Sequence, residues 1–396
     1  MSRLLALTSL FVVAASCGTA SSTPALTFHH DVEPIVQKSC GNCHATGGIA
    51  PFPLETYEQV KAQASAIADA VSSKRMPPWM PSDSCGQPFV GDIHLEQADI
   101  DTLVAWTKSP LEGNPADAPT TKATLATLPH VDTTVKMSAA YTPDATLTDD
   151  YRCFVIDPAL ATTRFVTGYN IIPGVNAEVH HVILYVVDRA QALAEDAKDT
   201  APGWQCFGGT GINTKGALGV WAPGAGAVAF PSGTGVAFGP DSVIAMQVHY
   251  NTRAGVRVPD QTQAQLMFAD RAVTNAYLVP IVGDGFSIPP NSTGYSYTFD
   301  QPNQLGFDLD VWGFLPHMHT RGRHITMTTD STCLVDIPKW DFHWQRVYFR
   351  PKPTTLKAGG KLSLNCTWDN PEARTITWGE GTSDEMCFAF VYTTVH

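Results

Sequence analysis

One change of hydrophobic period constrains this 396-residue chain more than any other feature. In the first quarter, apolar residues recur at helical spacing. Phe28, Val32, Ile35 and Val36 share one face, Tyr57, Val60, Ala64, Ile67 and Val71 keep a second period, and Leu95, Ile100, Leu103, Val104 and Trp106 a third. Beyond residue 135 they fall in short β-rich runs bounded by turn residues, at 182–187, 243–250, 307–315, 362–368 and 388–395. The stretch between, 109–135, is rich in Pro, Thr and Ala without a period and reads as a linker. Helical stripes and pleated faces bury themselves in different layers, and the length exceeds what one core organises. The fold class expected is therefore multidomain: a small all-α domain at 25–108, then two tandem antiparallel β-sandwich, jelly-roll-like domains at 136–272 and 273–396. A polar stretch at 270–275 marks the second boundary, and no tandem repeat is visible.

The N-terminus reads as an export signal, with Arg3 ahead of a short apolar stretch at 4–13 and then small residues. Ala14-Ala15-Ser16-Cys17 resembles a bacterial lipobox, which would make 1–17 the signal and Cys17 a lipid anchor, the one contact with a membrane. Cleavage after Gly18-Thr19-Ala20 is the other reading. Either way the chain is expected to be exported, to the periplasm or to the outer membrane of a bacterium as a lipoprotein. Nine cysteines agree with an oxidising compartment, because setting aside Cys17, Cys40 and Cys43 leaves six that can pair: Cys85, Cys153, Cys206, Cys333, Cys366 and Cys387. The net charge of -12 excludes nucleic acid as a partner, since phosphate binding needs a basic surface.

Cys40-Gly41-Asn42-Cys43-His44 has the spacing for one covalently attached haem c, in which both thiols add to vinyl groups and His44 becomes the proximal iron ligand. A zinc site would need further Cys or His at ligand spacing, and a redox dithiol would not need the adjacent His. The helical region thus reads as a cytochrome c domain. Arg75-Met76-Pro77-Pro78-Trp79-Met80 resembles the Met-Pro-Pro segment of class I cytochromes c, where prolines hold the loop and a thioether raises the potential. Met76 is the sixth ligand on this reading, and Met80 the alternative.

The β region carries a second set of candidate ligands. His180 and His181 are adjacent, so on a regular strand they would point to opposite faces, and both can hold one metal only if the backbone is irregular or different ring nitrogens are used. His249, inside the apolar run Met246-Gln247-Val248-His249-Tyr250, would by itself be an ordinary core histidine. His317 and His319 flank Met318 at strand spacing and share a face. Met386 adds a thioether, with Cys387 beside it on the opposite strand face and free to pair with a cysteine such as Cys366.

In this order, together with Gly381-Thr382-Ser383-Asp384-Glu385-Met386-Cys387, these residues resemble the copper type II ascorbate-dependent monooxygenases. That is the family of peptidylglycine α-hydroxylating monooxygenase and dopamine β-monooxygenase, and the resemblance covers roughly 149–395. It implies two sandwiches with one copper ion on each and a solvent-filled cleft between. By position, His180, His181 and His249 would form the electron-transfer copper, while His317, His319 and Met386 would form the catalytic copper that meets dioxygen. Neutral imidazoles bind both copper oxidation states, and a soft thioether favours Cu(I). The resemblance also implies disulfides Cys366–Cys387 and Cys153–Cys206. Cys85 and Cys333 remain over, and a bridge from the haem domain to the last sandwich is one arrangement for them.

The chain departs from the peptide-amidating branch at three positions. An Arg two residues before the first His of the spaced pair is here Leu315, and Asn and Tyr two and four residues after the Met ligand are Phe388 and Phe390. Without that carboxylate clamp an apolar or aromatic small substrate fits better than a peptide C-terminus. The implied activity is hydroxylation of a substrate C–H bond with dioxygen, fed by an external electron donor such as an ascorbate-like reductant or a redox protein. The haem c, kept near the first copper by the linker, is placed to relay those electrons. A non-catalytic haem and copper electron-transfer or copper-binding protein is the alternative from another class.

Overall fold

The computed structural model describes residues 25–46, 50–86, 88–119, 127–223, 225–252, 255–330 and 332–396. The export signal, Cys17 and the middle of the linker lie outside the described residues.

The helical region builds its own core. A π-type turn, Phe28–Val32, runs into Glu33–Ser39, and Gln97–Thr107 packs against them, so that Phe28, Val32, Val36, Ile100, Leu103 and Trp106 are buried together. Tyr57–Ala62 starts at a capping box in which Thr56 and Gln59 satisfy each other's backbone N–H groups. The periodic stretch that reads as one helix is two: the chain leaves helical geometry at Gln63 and resumes as Ala64–Ser72, while Val60 and Val71 still reach the same core.

Downstream, two sandwiches share a sheet. Its nine strands follow the order Thr133–Lys136, Gln263–Phe268, Arg164–Ile172, Thr234–Phe238, Thr274–Val282, Phe388–Val395, Leu309–His317 and Tyr348–Leu356, with Val228–Ala229 paired to Arg164–Ile172. A five-stranded sheet, Trp204–Gln205, Asp149–Ile156, Ser242–Asn251, Val179–Asp188 and Thr214–Trp221, covers the first half. A four-stranded sheet, Ser292–Pro302, Lys361–Asn370, Gly322–Thr329 and Cys333–Ile337, covers the second. The halves join where Thr274 and Asn275 pair in parallel with Thr234 and Gly235.

This shared sheet explains why Phe388–Val395 is a nearly continuous apolar run: it is covered on both faces. Phe390 and Tyr392 enter the first core beside Leu278 and Leu315, whereas Ala389 and Val391 enter the second beside Ile281 and Phe314. Burying a residue such as Phe390 contributes about 1.5–3 kcal/mol, so the strand stabilises both halves at once.

Residues 79–86 and 88–90 leave the helical core and lie on the second sandwich. Trp79 meets Tyr348 edge to face with ring centroids 5.4 Å apart, and Phe89 lies 5.6 Å from the same ring. The guanidinium groups of Arg346 and Arg350 sit over Trp79 and Phe89. Ser82 and Ser84 donate their hydroxyls to Asp336, and the disulfide Cys85–Cys333 locks the contact. The helical domain is thus fastened to the second sandwich by its own contacts, in addition to the linker. Cys153–Cys206 and Cys366–Cys387 are the other disulfides, and Cys40 and Cys43 stay unbonded.

Candidate metal centre

The backbone is irregular where His180 and His181 require it. Pairing of Val179–Asp188 with its neighbour runs from Val179 opposite Tyr250 to His181 opposite His249, which makes His180 the extra residue of a β-bulge. His180, His181 and His249 then each bring a ligand atom within 4.8 Å of the others. The Nδ1 atom of His181 lies 3.3 Å from Nδ1 of both His180 and His249, a spacing that calls for a shared proton or a cation. His249 is oriented from behind, its Nε2 bonded to the Asp149 carboxylate at 2.9 Å and its ring stacked on Tyr151 at 4.1 Å. That leaves Nδ1 for a metal. Burial pushes His180 down to about 3 and His181 well below its ordinary value, helped by the neighbouring His249 charge. Neutral imidazoles keep a lone pair for a cation.

The second set is built from strand ends. Leu309–His317 stops at His317, Met318 turns into the second core, and His319 follows with its ring 5.1 Å from that of His317. Nδ1 of His317 donates to Gln345 Oε1 at 2.5 Å, and Nδ1 of His319 donates to the Asp384 carbonyl at 3.1 Å, so Nε2 is the available atom on both. Burial pushes His317 to about 3 and His319 to about 4. Met386 is buried just ahead of Phe388–Val395, next to the Cys366–Cys387 bond. Glu385 ties these pieces together: its carboxylate accepts the backbone N–H groups of His319 at 2.9 Å, Arg321 at 2.7 Å and Met386 at 3.3 Å, and the Trp368 indole at 3.0 Å. Burial pushes that carboxyl up to about 7, against the pull of the four donors.

Both sets open on one cavity of about 320 Å³, whose wall includes His180, His181, His317, His319 and Met386 as well as Leu315, Phe388 and Phe390. His249 is not on that wall. Phe342 stands between the sets, stacked on His180 at 5.3 Å and edge-on to His319 at 5.9 Å. Sequence reasoning missed Asp149, Tyr151, Phe342, Gln345 and the role of Glu385. Only Glu385 had a signal, its place beside Met386; Tyr151 reaches His249 through strand register, and Gln345 reaches His317 from a segment between strands.

In the helical domain, His44 donates Nδ1 to the Phe52 carbonyl at 3.0 Å, which leaves its Nε2 available. Burial pushes the Cys40 thiol up to about 12 and also raises Cys43, opposed there by the charge of Arg346. Met76 and Met80 line a second cavity, of about 690 Å³, with Val71, Leu95 and Ile100. Cys40, Cys43 and His44 do not reach its wall, and Trp344 lines both cavities. The Met80 sulfur accepts the Asp341 N–H at 3.3 Å.

Comparison with known proteins bears on the β region. Residues 133–257 match the N-terminal domain model of the copper type II ascorbate-dependent monooxygenases, and 275–394 match the C-terminal domain model. Human DBH-like monooxygenase protein 2 is 25% identical over 242 residues, covering 54% of this chain and 46% of that protein. Human dopamine beta-hydroxylase is 26% identical over 204 residues, 44% of this chain and 32% of that protein. The chain spans less than half the length of these relatives. Among solved structures, the major capsid protein P2 of bacteriophage PM2 aligns over 67% of this chain and 97% of that one, but at a TM-score of 0.29 and 9% identity, too low to bear on the fold. The three-imidazole set falls in the first matched stretch and the His317, His319 and Met386 set in the second, and with both halves matched in order the chain belongs to the copper type II ascorbate-dependent monooxygenase family.

Proposed function

We propose that this chain hydroxylates a C–H bond of a small apolar or aromatic substrate with dioxygen. The observation that carries the reading is the single cavity onto which both donor sets open, walled by Leu315, Phe342, Phe388 and Phe390. Copper at the two sets would supply the two one-electron reductions needed when one oxygen atom enters the substrate as a hydroxyl and the other leaves as water. His180 and His181, which burial keeps neutral, and His249 would hold the electron-transfer copper, with Asp149 and Tyr151 fixing the His249 ring. His317, His319 and Met386 hold the catalytic copper, where the thioether favours Cu(I). Gln345 and the Asp384 carbonyl keep the Nδ1 protons in place, so that both Nε2 lone pairs serve the metal. Leu315, Phe388 and Phe390 offer a substrate contact area without charge-assisted hydrogen bonds, which disfavours a carboxylate.

The helical domain is, on the same proposal, a c-type cytochrome. Cys40 and Cys43 would supply the thiols for one covalent haem, and His44, through the nitrogen its Phe52 bond leaves available, and Met76 would be the residues that hold its iron. The bond from Asp341 to the Met80 sulfur favours Met76 over Met80. Haem there would pass single electrons from an external donor, an ascorbate-like reductant or a redox protein. Three disulfides fit an exported chain, periplasmic or held at the outer membrane through Cys17.

Fully loaded protein is expected to carry two coppers and one haem by elemental analysis, and to show substrate-dependent oxygen uptake with one labelled atom from dioxygen in the product. A copper to iron ratio near one or below would sink the two-site reading. Redox cycling without oxygen incorporation would mark an electron carrier instead.

A further inference from the structure

We propose that Phe342 is a positioning residue shared by the two ligand sets: it fixes the orientation of the His180 ring from a segment that also holds His317 and His319. The proposal rests on the reading of both sets as copper sites.

His180 is held differently from His249. His249 has a carboxylate on one nitrogen and a stacked tyrosine on one face. His180 sits instead on the bulge, outside the regular ladder, and its ring meets His181 and His249 of its own set. The aromatic ring against it from outside the set is Phe342, at 5.3 Å and an interplanar angle of 26°. The same ring meets His319 at 5.9 Å and 88°, so the two histidines are no farther apart than those two distances laid end to end.

The segment that carries Phe342, residues 338–347, contains no helix or strand, yet it is held at several points. Trp340 donates its backbone N–H to the Arg323 carbonyl at 2.8 Å and its indole N–H to the His319 carbonyl at 3.2 Å. A turn closes where Trp344 N–H meets the Asp341 carbonyl at 3.1 Å. Gln345 donates to the Phe342 carbonyl at 2.8 Å while its own oxygen accepts from His317. From the helical domain, Met80 accepts from Asp341 and Trp79 lies under Arg346. One segment therefore grips both histidines of the second set and lays its apex ring on the first. Stacking is geometry-dependent, so an aromatic ring holds a neighbouring imidazole in a way that an aliphatic group of similar volume cannot.

The test uses the full chain loaded with Cu(II), as Phe342→Ala, Phe342→Leu and Phe342→Tyr. Copper count is measured first, then the Cu(II) hyperfine pattern. The expected result is two coppers in every variant, a shifted hyperfine pattern in the Ala and Leu forms, and recovery of the wild-type spectrum in the Tyr form. Should the Ala form fail to fold, the Leu form gives the same reading. Wild-type spectra in the Leu form, with two coppers bound, would overturn the proposal, because volume alone would then suffice. Fewer than two coppers in the wild-type chain would overturn the metal assignment beneath it, and this proposal with it.

Discussion

The two ligand sets are made in different ways. His181 and His249 face each other in register on neighbouring strands of one sheet, and a bulge adds His180, so the first set is formed by the ladder itself. The second set comes from the end of Leu309–His317, the residue after Met318, and the approach to Phe388–Val395, pieces joined through Glu385 and the Cys366–Cys387 bond. A set formed within a ladder has little room to change its coordination. A set formed from strand ends, with one soft ligand, can leave a position for a small molecule. The proposed assignment of electron transfer to the first and dioxygen chemistry to the second, which the family resemblance implies by position, agrees with that difference.

The largest expected effect separates the sets outright. Met386→Ala leaves two imidazoles at the second set, which bind Cu(I) too weakly or tune it wrongly, while the first set keeps all three ligands. Hydroxylation is expected to vanish, with one copper retained per chain. Measured turnover together with copper content checks it; wild-type turnover would remove Met386 from the site.

A smaller effect compares the groups that orient each set. Asp149→Ala takes the carboxylate from His249, and Gln345→Ala takes the amide oxygen from His317. Losing such a partner costs about 10–100-fold in metal affinity, and a charged acceptor is worth more than a neutral one. The Asp149 change is therefore expected to weaken the first site more than the Gln345 change weakens the second, read by competition with a copper chelator. The reverse order would mean that the ladder alone positions His249.

What was legible in the sequence follows the same division. Ligands were legible because they come as short motifs: the His180 and His181 pair, the spaced His317 and His319, and the run that ends in Met386 and Cys387. The pair even stated its own condition, and the bulge at His180 meets it. Groups that act on those ligands were not legible, because Tyr151 and Asp149 lie about a hundred residues away in the chain and arrive by strand register, which one sequence does not display. The change of period marked the helical and β regions, but not the sheet that runs through both sandwiches, since its join is two residues of parallel pairing. A run buried on both faces hides its alternation, so Phe388–Val395 showed a strand without showing that it serves two cores.

The smallest expected effect tests whether the sets differ in their link to the helical domain. Contacts from Trp79, Met80, Ser82, Ser84 and Phe89 reach the second sandwich and the segment bearing Gln345, whose oxygen orients His317. Of the partners described for the first set, Asp149 and Tyr151 lie outside that segment and only Phe342 lies on it, so the first set is linked to the helical domain through the His180 ring alone. Ser82 and Ser84 donate to Asp336 at 2.7 and 2.6 Å, at the end of the strand that leads into that segment. Removing both hydroxyls as Ser82→Ala with Ser84→Ala leaves the Cys85–Cys333 bond and the Trp79 packing in place, so the domain stays docked and only its grip on Asp336 is lost. Coupling through such a packed network typically changes by about 0.5–2 kcal/mol, and at the lower end of that range the second site should lose roughly twofold in copper affinity. The first site should lose less, because Asp149 and Tyr151 still hold His249. Parallel titrations of the double variant and the wild-type chain, read site by site from the Cu(II) spectra, decide it. An equal loss at both sites would mean that the helical domain acts on the whole β region, and no loss at either would confine its contact to holding the domains together.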